Sequence, residues 1–107
     1  MTQMSTPWGT ADAEEHIALG ITFYETPSHG GFHLDAERNA LVPLAWREAS
    51  FNQQGLYGWF EEDCDAVMVV LSHPTAFSAS AVAHAEKAFA SMFAPKGLVY
   101  APARVEG

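Results

Sequence analysis

The chain has 107 residues, 49% hydrophobic and 12% aromatic, which suffices for one domain with a buried core and not for two. Its 13 acidic residues against 5 basic ones give a formal charge of −8, which repels phosphate backbones and argues against direct nucleic-acid binding. No stretch nears the roughly 18 uninterrupted apolar residues of a membrane span, a start lacking a basic, apolar leader places the protein in the cytoplasm, and the single Cys64 cannot make an internal disulfide.

In chain order, residues 1–6 read as a loosely ordered arm pinned at "TPWG" by the Trp8 indole. Ala11 to Leu19 reads as a short helix entered through Asp12, with Glu14 and Glu15 in the first turn, where the helix dipole favours negative charge. Gly20 would stop it. "ITFYET" alternates, with Ile21 and Phe23 on one face and Thr22 and Tyr24 on the other, as a half-buried strand does. "PSHGG" is expected to be a turn whose glycines supply positive φ. "FHL" then resumes the alternation, so that residues 20–34 form a β-hairpin.

Asp35 is placed to cap a short helical turn, "AERNA", and Pro43 to open a second helix carrying Leu44, Trp46 and Ala49. "FNQQGLYG" reads as loop. In "WFEEDCDAVMVVLSHP" the continuous apolar run suits a buried strand. The stripe Phe60, Cys64, Val67, Met68 and Leu71, with acids at its start, suits a helix ended by Pro74, and the balance tips to helix. Ser78 caps an amphipathic helix over 79–93, with Val82, Ala85, Phe89, Met92 and Phe93 on its apolar face. "GLVYAP" is expected to add a last strand. The fold class is therefore α+β: a small antiparallel sheet built on the hairpin at 20–34, packed by two or three helices.

Three groups of residues could carry chemistry. His29 and His33 flank the Gly-Gly pair, and a turn there would bring both imidazoles toward one point, with Glu61, Glu62, Asp63, Cys64 or Asp65 as further ligands of a metal or as partners in hydrolysis. The competing account has them bonding backbone carbonyls. "EEDCD" surrounds Cys64 with carboxylates, which raise the thiol's pKa and make it a poor nucleophile. The acids can equally be a solvated helix start. "GLYGWF" sets Tyr57 and Trp59 on a glycine-rich segment where aromatic side chains can anchor a partner.

Taken together, "TPWG" at 6–9, "HGGFHL" at 29–34 and "GWFEEDCD" at 58–65 resemble a small domain of unknown function found in proteins of bacteria, their plasmids and phages. The similarity runs from Thr6 to Phe77, and the resemblance makes those motif residues its signature positions. The family carries no established activity and implies no cofactor. Its context suggests a non-enzymatic, acidic inhibitor of mobile-element type. The partner would be a protein with a basic surface, such as a CRISPR effector or a nuclease. Glu61, Glu62, Asp63 and Asp65 would meet its Lys and Arg side chains, and Tyr57 and Trp59 would supply the apolar anchor. The alternative is a small hydrolase or metal-dependent enzyme using His29 and His33 with the Glu61–Asp65 cluster, and self-association stays open.

Overall fold

The computed structural model describes residues 5–49, 58–62 and 64–100. A two-stranded ribbon, β1 (Ser5–Thr6) and β2 (Gly9–Thr10), precedes a four-stranded antiparallel sheet in the order β3 (Ala13–Ala18), β4 (Ile21–Glu25), β5 (Gly30–Leu34), β6 (Trp59–Glu61). Between β5 and β6 lie α1 (Ala36–Ala40) and α2 (Leu44–Ala49), and after β6 come α3 (Ala66–Ser72) and α4 (Ala79–Met92). This is the expected α+β class, with the hairpin at its centre.

The sheet register sorts side chains onto two faces. Phe23, Phe32 and Phe60 stand opposite one another across three strands, and Ile21 faces Leu34. With strand side chains alternating, these apolar residues share the helix-covered face, where Ile21, Leu34 and Phe60 are fully buried. Thr22, Tyr24, Gly31, His33, Trp59 and Glu61 take the other face.

The helix expected at 11–19 is a strand. Ala and Glu favour a helix locally, but Ala13, Glu14, Glu15 and His16 pair with Glu25, Tyr24, Phe23 and Thr22 of β4, and the ladder outweighs a propensity worth tenths of a kcal/mol per residue. Gly20, at φ +85°, forms the tight turn between the two strands. A left-handed glycine ends a helix as readily as it turns a hairpin.

Residues 59–72, legible as strand or helix, are both in succession. β6 ends at Glu61, and α3 begins at Ala66 with Val67, Met68, Val69 and Leu71 all buried. The helix packs between the sheet and α4, so it is apolar nearly all round and loses the stripe that would mark it. Its last turn is tied to α1 by His73, only 3% exposed. The ring Nδ1 lies 3.1 Å from the Val69 carbonyl oxygen and Nε2 lies 3.1 Å from that of Arg38. Pro74 then starts a short 3₁₀ turn.

The capping expectations hold. The Asp35 carboxylate accepts from the Arg38 N–H at 2.9 Å, and the Ser78 hydroxyl accepts from the Ala81 N–H at 3.1 Å. α4 buries Ala85 and Phe89, with Phe93 just beyond its end. The expected last strand does not form at 98–100. That segment lies over α2 and α4, where the Trp46 indole N–H donates to the Val99 carbonyl at 3.2 Å and the Tyr100 ring sits 5.8 Å from Phe89. Residues 101–102 of "GLVYAP" lie outside the described residues. In the N-terminal arm, Ser5 and Thr6 pair with Thr10 and Gly9.

Candidate functional site

The two glycines of "HGG" are in a strand, not a turn. Gly30 pairs with Glu25, Gly31 with Tyr24, and neither has positive φ. The reversal is made by the preceding residues: the Thr26 N–H and hydroxyl both donate to the His29 carbonyl, at 2.8 and 2.7 Å, and the His29 N–H donates to the Thr26 hydroxyl at 3.1 Å.

Each glycine permits a close approach on a different face. A Cβ on Gly31 would overlap the Trp8 indole and lie 2.7 Å from the Phe60 carbonyl oxygen, so Trp8 packs against the outer face there. A Cβ on Gly30 would lie 2.9 Å from both a Glu62 carboxylate oxygen and the tip of the Phe23 ring.

With glycines in extended backbone, His29 and His33 cannot converge. Four residues of strand at ~3.3 Å each separate them by about 13 Å. His29 is exposed at the turn. His33 stacks on Trp59, ring centroids 4.6 Å apart, and burial pushes its pKa down while the Asp35 carboxylate pulls it partly back. Among the described residues no three His, Cys, Asp or Glu side chains form a group that could hold a metal ion. Cys64 is exposed.

The acidic segment does fold back beside "HGG". Gly31 pairs with Glu61, and the Glu62 N–H donates to the Gly30 carbonyl at 3.0 Å. Its carboxylates nevertheless separate. Glu61 is on the outer face, Glu62 is exposed on the helix side, and Asp65 is buried at 6% exposure beside the start of α3, beyond a partner's reach. Tyr57 and Asp63 lie outside the described residues.

Sheet pairing adds carboxylates the sequence kept far apart. The outer-face row across the sheet runs Glu14, Tyr24, Gly31, Glu61, and the next runs Ala13, Glu25, Gly30 toward Glu62. At ~4.8 Å between strands, Glu25 and Glu62 stand about 10 Å apart. Glu14, Glu15, Glu25, Glu61 and Glu62 thus lie on one half of the sheet, Glu14 and Glu61 on its outer face and Glu15, Glu25 and Glu62 on the helix side. Glu14, Glu15 and Glu25 line a shallow depression of about 360 Å³ with Phe23 at its base. Glu14, Glu15 and Glu25 were missed because two of them read as a helix start. The faint alternation in "AEEHIA" was the available signal.

Trp59 holds the outer face together. Its ring centroid is 5.8 Å from Trp8 in an edge-on contact and 5.6 Å from Tyr24. Burial raises the Tyr24 pKa, with the nearby Glu14 carboxylate adding to it. Trp59 is half-buried, an edge of an aromatic cluster more than a projecting anchor.

No curated protein and no solved structure matches the chain. The model of one family, a domain of unknown function, DUF7007, matches residues 1–96. With nearly its whole length covered, the chain belongs to the DUF7007 family.

Proposed function

We propose that the domain is a non-enzymatic protein-binding module in which the acidic half of the sheet occupies a basic surface of a partner protein. The observation that carries this is the placement of Glu14, Glu15, Glu25, Glu61 and Glu62 on one half of one sheet. Together they make this half of the sheet negative, and Lys or Arg side chains of a partner would complement that charge. Three of the chain's five Lys and Arg side chains are engaged elsewhere. Arg38 Nε donates to the Leu19 carbonyl at 2.8 Å, Arg47 Nε to that of Val42 at 3.0 Å, and Lys96 lies over the Phe93 ring.

In its most specific form the partner is a nuclease or CRISPR effector. The domain, carried by a phage or plasmid, then covers the surface that would hold nucleic acid. The test is capture of a partner from host cells on the immobilised chain, followed by the same capture with Glu14, Glu25 and Glu62 reversed to lysine. Capture that is lost on reversal, together with displacement of the partner's nucleic acid by the wild-type chain, supports the proposal. Capture unchanged in a folded reversal variant sinks it.

A further inference from the structure

A groove of about 670 Å³ runs between α3 and α4, outside the acidic half of the sheet but touching it through Glu62. Its floor is Val67 and Ala85, its walls include Val70, Ala88 and Met92, and its ionisable lining is Glu62 and His84. We infer that this groove receives the apolar face of a short cationic amphipathic helix from the partner protein, with Glu62 pairing a Lys or Arg at its end. The inference rests on the proposed function and names how the partner is held.

Both banks of the groove are helices, whose backbone groups are bonded along the helix except in the first turn of α4 at the Ser78–Ala81 end. An occupant finds side chains there and few backbone partners, so it must satisfy its own backbone, which an inserted helix does and an extended strand does not. α4 has 14 residues but α3 only 7, so the two banks face each other over about 10 Å, room for some two turns of an inserted helix. Charge selects the class of occupant. A second copy of this chain would set −8 against −8, and a fatty acid or anionic lipid would bring its negative head to Glu62, whereas a cationic helix complements both. Gly30, which has no Cβ, leaves space for the Glu62 carboxylate to lie against the strand at the rim.

The probes are two 14-residue peptides with the same leucine face, one with lysine and one with glutamate on the polar face. Each is titrated into the isotopically labelled full chain and followed by methyl NMR. The lysine peptide is expected to shift the Val70, Ala88 and Met92 methyl signals and to bind at least about tenfold more tightly than the glutamate peptide. Ala88→Gln, which fills the groove, and Glu62→Gln, which removes the charge, should each weaken it several-fold. Equal binding of both peptides overturns the inference, as does a concentration-dependent methyl shift without peptide, which would mean a second copy. If Ala88→Gln misfolds, the methyl map of the wild-type chain decides. A lysine peptide that moves the Ala13 methyl signal, beside Glu14, Glu15 and Glu25, while the groove methyls stay still refutes the groove and leaves the proposed function standing. A captured partner indifferent to charge reversal refutes the proposed function whatever the groove does.

Discussion

Gly31→Ala is the substitution whose outcome the outer face determines most sharply. Gly31 has ordinary extended φ, and at such a position alanine normally stabilises by about 0.4–1 kcal/mol through the unfolded chain. Here the added methyl would strike the Trp8 indole and stand 2.7 Å from the Phe60 carbonyl oxygen on the neighbouring strand. Overpacking of this kind costs about 1–3 kcal/mol. Displacing Trp8 forfeits further burial. A tryptophan buries ~150–250 Å², which at ~25 cal/mol per Å² is about 4–6 kcal/mol, and partial exposure with a compact unfolded state cuts that to about 2–3. Gly31→Ala should therefore destabilise by about 2–4 kcal/mol, opposite in sign to the generic effect. Because both losses involve one indole, the cost in a Trp8→Ala background should fall by at least about 1 kcal/mol. Urea unfolding of the four proteins of this cycle, followed by far-ultraviolet circular dichroism, measures it. Additive effects would show that Trp8 does not sit on Gly31.

Asn39 is fully buried, and among the described residues neither end of its side-chain amide has a hydrogen-bond partner. Asn39→Leu, of similar size, should raise stability by about 1–3 kcal/mol in urea unfolding, and a loss of stability would reveal a partner for the amide. Ser78→Ala removes the cap of α4 and should lower stability by about 1 kcal/mol, read as a shift in unfolding midpoint; no shift would mean that the helix start is held by packing alone. Burial lowers the pKa of both His73 and His33. The unfolded chain therefore takes up protons near the ordinary ~6.5 while the folded one resists. Their contribution is complete above about pH 6.5 and is lost as pH falls toward the depressed folded values. Unfolding midpoints should drop between pH 7.5 and 5.5, and less steeply in His73→Asn, whereas equal slopes in the two proteins would remove His73 from the account.

What could be seen in the sequence depended on whether the signal was local. The 20–34 hairpin, the Asp35 and Ser78 caps and the α4 stripe come from alternation, side-chain oxygens and helical period within one short segment, and all are present. The strand at 13–18 was hidden because its ladder partner supplies what its own residues do not, and Gly20 serves either structure. In "HGG" the glycines fit a turn and a close approach equally well, and only the packing of Trp8, Phe23 and Glu62 against them shows which applies. For the candidate site, sequence neighbours Glu61 and Glu62 part onto opposite faces, as do Glu14 and Glu15, and strand register, which spacing along the chain does not encode, brings Glu14, Glu15 and Glu25 to the same half of the sheet.

If the acidic half of the sheet captures a basic protein surface by charge, the affinity for a captured partner must depend on ionic strength. Between 50 and 500 mM salt the wild-type affinity should fall steeply, and the Glu14, Glu25 and Glu62 reversal variant should bind weakly at every salt concentration. An affinity that is flat in salt and equal in the two proteins would contradict the account.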